Sequence, residues 1–298
     1  MLGANLGLIL TMILWGAQVP LISFISDRYD PYLLAAIRYC GAVPFFLFAL
    51  KVWEPGPILA GYSLRWVVAL GAAIAAFGTL YTAGIAFSHP VTAAVLGAMA
   101  PAVAALVAWA MLGVRPNRTV MISLVLVACG GILATIDLSR AGTFRLRGGE
   151  ILIVLASATW SWYSIEAQRR LPGASQIRIT GLSLIFAALF LLPVYGIAGL
   201  FGATHGSLLD VTPADLSIFA LFVLGVAVVG IVLWNLGVAR LGVVPASMYI
   251  NLVPIVALLV SMLLGYVPRA EQLVGGALVL CGVLLVQVNR LFDRSPKA

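Results

Sequence analysis

Charge is scarce in this chain. Only 9% of its 298 residues are Asp, Glu, Lys or Arg, against 63% that are apolar, so too little polar surface exists to clothe a water-soluble globule. Lipid is therefore the expected solvent. Cysteine is scarce as well: Cys40, Cys129 and Cys281 are odd in number, lie in apolar runs and lack metal-type spacing. That argues against a disulfide framework or a metal site and leaves them as small packing residues. The two histidines, His89 and His205, fall in loops, and no Asp or Glu stands in the middle of an apolar run. The embedded carboxylate or imidazole of proton-driven carriers is missing, which points to facilitated rather than proton-coupled transport. No Walker loop, zinc-binding pair or nucleophile elbow is present, so neither an enzyme nor a cofactor is expected. The +7 net charge would suggest nucleic acid in a soluble protein. Here the basic residues sit in short loops and at the C-terminus, where they orient helices, so no nucleic-acid partner is expected.

What the chain has in abundance is apolar runs, bounded by Pro, Gly or charge. They can be read at 4–25, 31–51, 65–87, 90–113, 118–137, 149–169, 175–200, 213–238, 244–266 and 271–291. A bilayer core needs roughly 20 apolar residues per helix. The expected fold class is thus an all-α membrane protein of ten transmembrane helices. The first run lacks a basic leader and a cleavage site and is expected to stay as helix 1. With the N-terminus inside, eleven Lys and Arg fall on the cytoplasmic side and five (Arg28, Arg140, Arg145, Arg147, Arg269) outside. This places both termini in the cytoplasm. The Asn117-Arg118-Thr119 sequon then lies in an inner loop.

The polar stretch from Asp137 to Gly149 divides the chain near its middle, and the two sides repeat. Leu80, Tyr81, Gly84 and Ala86 match Leu233, Trp234, Gly237 and Ala239, and Pro101 falls opposite Pro254. After a one-residue slip, Leu112, Gly113 and Pro116 match Leu264, Gly265 and Pro268. Cys129 with Gly130 matches Cys281 with Gly282, and Trp15 pairs with Trp160. Halves 1–139 and 148–298 are therefore expected to be five-helix domains. Five is odd, so the second copy inserts upside down, as in many carriers that rock about a midplane site.

The Leu80, Tyr81, Gly84 pattern, followed by Pro101 and the Leu112-Gly113 helix end, resembles the EamA repeat of the drug/metabolite transporter superfamily, as does Trp15 with Gly16. The resemblance covers roughly 5–136 and 149–287. Family members often carry Glu after the glycine closing helices 4 and 9, whereas Val114 and Tyr266 stand there in this chain. Within the superfamily the overall similarity is to aromatic amino-acid exporters. It implies a monomeric carrier of the bacterial inner membrane that moves amino acids and related apolar metabolites outward by alternating access through a central cavity. A multidrug or quaternary-amine exporter is the alternative, and a membrane-embedded enzyme or lipid-handling scaffold a more remote one.

Several residues could line such a cavity. Trp15 and Trp160 lie near the midplane and could form an aromatic wall for a ring or a quaternary amine, or simply pack helices. Trp162 and Tyr163, on the helix of Trp160, cannot all face one space. Tyr81 and Trp234 lie toward helix ends, where interface anchoring is the stronger reading. Gln18, Asn235, Tyr249 and Asn251 could receive an amino or carboxylate group, or bond helix to helix for roughly 1 kcal/mol. Arg38 is the one basic residue clearly inside a span, at a cost of about 2.5–3.5 kcal/mol near the centre. A substrate carboxylate would offset this, although pairing with Asp27 or Asp30, or snorkelling, is the favoured reading. Glu166 is expected to pair with Arg170 one turn on. Pro101 and Pro254 each remove a mid-helix hydrogen bond, making hinges or static kinks.

Overall fold

In lipid every backbone N–H and C=O must be satisfied within the protein, which makes helices of apolar runs this long. The computed structural model describes residues 2–113, 115, 118–137, 143–144, 148–206, 208–241 and 249–292. Its elements are α1 (Leu2–Ile25), α2 (Pro31–Cys40), α3 (Val43–Trp53), α4 (Leu64–Ala86), α5 (Pro90–Gly97), α6 (Ala100–Leu112) and α7 (Arg118–Thr135). The pair β1 (Ile136–Asp137) and β2 (Thr143–Phe144) is antiparallel. Then come α8 (Gly149–Arg170), α9 (Gln176–Leu200), α10 (Pro213–Ala220), a π-helical segment Leu221–Gly230, α11 (Ile231–Leu241), α12 (Leu252–Leu263) and α13 (Ala270–Phe292). The chain is an all-α membrane protein. Described helix falls on each of the ten predicted runs, and among the described residues five helices are long and apolar enough to cross a bilayer, six if the bent pair Pro90–Gly97 and Ala102–Leu112 is one span. Leu6, Ile13, Phe48, Ile151, Leu189 and Leu259 are exposed on the outside of the bundle, as side chains facing lipid would be.

Two predicted runs are broken. The run 31–51 ends a helix at Cys40 and restarts at Val43, and the run 90–113 pauses at Ala98–Met99, where the axis turns by 42°. This corrects the reading of the prolines. Pro101 stands in the first turn of α6, and Pro254 is the third residue of α12. Neither removes a mid-helix bond, because first-turn N–H groups have no partner within the helix. Among the described residues the prolines that do sit inside helices are Pro20 in α1 and Pro193 in α9.

The packing is similar when the two halves are exchanged. α1 lies against α12, the π-helical segment and α11, while α8 lies against α6 and α4. α2 packs on α9, and α7 on α13. The matched glycines mark these crossings. A Cβ on Gly84 would come within 2.7 Å of Ile153 on α8, and one on Gly237 within 2.5 Å of Leu8 on α1. Leu8 and Ile153 stand at the offset that relates Trp15 to Trp160. Where α7 crosses α13, Gly130 and Gly275 meet backbone to backbone, each position placing a Cβ 2.5 Å from the other's carbonyl oxygen.

Polar contacts tie both ends of the bundle. At one end Arg28 pairs with Asp215, which also accepts from the Tyr29 hydroxyl at 3.1 Å, and Asp30 Oδ2 accepts from the backbone of His205 at 3.3 Å. At the opposite end Arg178 Nε donates to Glu54 at 2.9 Å and its Nη atoms donate to the carbonyls of Glu54, Pro57 and Ile58. Glu166 accepts from Arg170 at 2.6 Å, the expected i to i+4 pair, and from Arg169 at 2.9 Å.

Candidate substrate site

Three helices from different parts of the chain, α1, α4 and α8, and the α11 segment bring rings together. Trp15 lies 5.5 Å from Trp234 and 6.3 Å, edge-on, from Trp160. Trp160 in turn lies 4.9 Å from Phe77 and 5.4 Å from Tyr163, and Phe77 stacks on Tyr81 at 5.3 Å. These separations fall in the range favoured by aromatic quadrupoles. The result is a continuous row, Trp234, Trp15, Trp160, Phe77 and Tyr81, contributed by both halves. Each of these five rings remains partly exposed although it touches another ring, so the row is not sealed inside the packing.

Local structure holds Trp15 in place. The π-helical segment presents the Val226 carbonyl, which accepts from the indole Nε1 at a long 3.4 Å. Gly230 makes room for the ring, since a Cβ there would stand 2.8 Å from Nε1. π-Helical turns are found disproportionately at functional positions.

Arg38 sits beside the row. It is 2% exposed and lies in the last turn of α2, where the negative end of the helix dipole favours a cation. Nη1 donates to Gln18 Oε1 at 2.9 Å and Nη2 to Thr82 Oγ1 at 3.1 Å, while the guanidinium covers the Tyr39 ring at 4.5 Å. Its Nε is buried and without a partner. Gln18 is one turn from Trp15, and Thr82 adjoins Tyr81. The expected pairing with an aspartate is not made: Asp30 instead caps α2, accepting from Tyr32 and Leu33 at 2.9 Å, and Asp27 is exposed. Nor does the buried Arg38 snorkel to an interface.

A model of the EamA-like transporter family matches residues 2–136 and again 147–288. The chain belongs to the EamA-like transporter family. Among curated relatives, the "Uncharacterized transporter YyaM" of Bacillus subtilis is 25% identical over 280 residues, covering 90% of this chain and 88% of the relative. The "Probable terminal-alkyne amino-acid exporter" of Streptantibioticus cattleyicolor is 28% identical over 292 residues, 96% of this chain and 94% of the relative. A solved crystal structure with 21% identity superposes at a TM-score of 0.64 over 98% of this chain and 99% of the other, a likeness of fold alone.

Of the residues singled out in this EamA transporter, Trp15, Gln18, Arg38, Tyr81, Trp160, Tyr163 and Trp234 come together. Tyr81 and Trp234 thus belong to the row, where the sequence favoured interface anchors. Tyr249 opens a 3-10 turn, Tyr249–Asn251, and no ring contact joins it to the row. The side chains of Asn235 and Asn251 lie outside the described residues. Phe77, Thr82 and Tyr39 were missed. Phe77 stands one turn before Tyr81 and Tyr39 directly after Arg38, so i, i+4 neighbours of the aromatic candidates would have found the first.

Proposed function

We propose that this EamA transporter exports amino acids, aromatic ones included, and related apolar metabolites. Halves 1–139 and 148–298 act as two inverted repeats that rock about the aromatic row, with both termini cytoplasmic, in the bacterial inner membrane and as a monomer. The observation that carries this reading is the row itself, in which rings of both halves meet and stay partly exposed. Flat faces of this kind suit a substrate ring. The amino-acid exporter among the relatives supports the substrate class. Pro101 and Pro254, each at the start of a helical segment following an irregular or 3-10 turn, are the proposed hinge points.

Transport is facilitated rather than proton-coupled. Among the described residues the buried carboxylates Asp30, Glu150, Glu166, Asp215 and Glu271 stand within about one turn of a helix end. The test is flux of labelled phenylalanine in liposomes holding the purified chain, with and without a pH gradient. Saturable flux indifferent to the gradient, with KM raised about tenfold by Trp160→Ala, is the expected result. Flux that requires the gradient would overturn the facilitated mechanism. Movement of a planar cation in place of phenylalanine would establish a quaternary-amine exporter instead.

A further inference from the structure

We propose that Arg38 is the carboxylate anchor of this site, so that the carrier recognises aromatic and apolar monocarboxylates and does not require their α-amino group. The inference rests on the transport reading above and specifies what head group the row serves.

Among the described residues three buried side-chain polar atoms lack a hydrogen-bond partner, Arg38 Nε and the Ser88 and Ser261 hydroxyls, and of the three residues only Arg38 carries a charge. Ser157, Ser161 and Ser183 donate to carbonyls four residues back. The other described arginines with little exposure have carboxylate partners: Arg178 with Glu54 and Arg269 with Glu271. Arg38 differs on both counts. Its two hydrogen-bond partners, Gln18 and Thr82, are neutral, and its Nε has none. A guanidinium keeps its charge in proteins, and a buried charge is normally paired. No carboxylate among the described residues is in ion-pair contact with it, since Asp30, Glu54, Glu166, Asp215 and Glu271 are engaged elsewhere. The counter-charge must then arrive with the ligand.

The position fits. Gln18 and Thr82 string the guanidinium between α1 and α4, the helices that carry Trp15, Phe77 and Tyr81. An acid held at the planar, five-donor fork would have its ring or chain within reach of the row. The ammonium group of an amino acid has no anchor of the same kind, because the carboxylates of Asp30, Glu54, Glu166, Asp215 and Glu271 are committed to a helix cap or to arginines. Binding therefore depends on the acid group and tolerates loss of the amine.

The decisive experiment is competition against labelled phenylalanine flux in liposomes by 3-phenylpropanoate, which lacks the amine, and by phenethylamine and phenylalaninamide, which lack the carboxylate. Saturation binding of the same compounds is followed by indole fluorescence in detergent. The acid is expected to bind and compete at least about tenfold more tightly than either amine. Arg38→Gln abolishes that preference and Arg38→Lys keeps part of it. Amines competing as well as the acid, or Arg38→Gln retaining the acid preference, would overturn the anchor. Should Arg38→Gln not fold, the wild-type comparison decides alone. Saturable binding of 3-phenylpropanoate without phenylalanine flux would leave the anchor standing and refute amino-acid export. Flux blocked equally by all three compounds would do the reverse.

Discussion

Gly237→Ala tests how α1 meets α11. A Cβ at this position would stand 2.5, 2.6 and 2.9 Å from Leu8 Cδ2, Cγ and Cδ1. Carbon atoms settle at about 3.5–4.0 Å, so roughly 1 Å must be found in a contact where Leu8 is fully buried. Overpacking of this kind costs about 1–3 kcal/mol, or roughly 2–12 °C in the midpoint of thermal unfolding. All three clashing atoms belong to the Leu8 side chain beyond Cβ, so Leu8→Ala in the same chain should relieve the clash. The double-mutant cycle should show about 1–3 kcal/mol of favourable coupling. The repeat-related pair behaves differently. Ile153→Ala removes the 2.7 Å contact made by Gly84→Ala but leaves the Gly149 carbonyl and the Ile153 amide at 3.0 Å, both backbone. Its coupling is therefore smaller. Scanning fluorimetry of the purified variants reads all of this. A Gly237→Ala protein as stable as wild type, or equal rescue at both crossings, would refute the packing argument.

At the α7–α13 crossing the same logic predicts a harsher result: Gly275→Ala meets the Gly130 carbonyl at 2.5 Å and the Ala134 amide at 3.0 Å. No side chain can yield enough there, so yield and monodispersity in detergent should fall further than for Gly237→Ala, with no single truncation restoring them. Arg178→Ala should destabilise the chain by about 3 kcal/mol, because it strips an ion pair and three carbonyl bonds from the 54–58 turn. Glu54→Gln should lose clearly less, since those carbonyl bonds survive, and equal losses in thermal unfolding would contradict this.

How far the site could be read in advance depended on the reach of each signal. The Glu166–Arg170 pair was legible because it lies within one turn of one helix. Trp15 and Trp160 stood out because tryptophan at mid-depth is unusual and the repeat set them at equivalent places. The partners of Arg38 could not be found this way: Gln18 and Thr82 come from two other helices, and Asp30, nearer in sequence, is committed to capping α2. Breaks at Gly41–Ala42 and Ala98–Met99 carry no strong composition signal, and the π-helical segment carries none.

Hydropathy and residue spacing, which are properties of local sequence, were enough to determine an all-α membrane chain, its apolar runs and its repeated pattern. The tertiary structure alone decided which faces meet at the centre of the bundle, where helices 31–51 and 90–113 break, and that Arg38 is left without an acidic partner. The physical reason is that lipid and a neighbouring helix are equally apolar, so hydrophobicity marks that a helix is in the membrane without marking which side of it faces the protein.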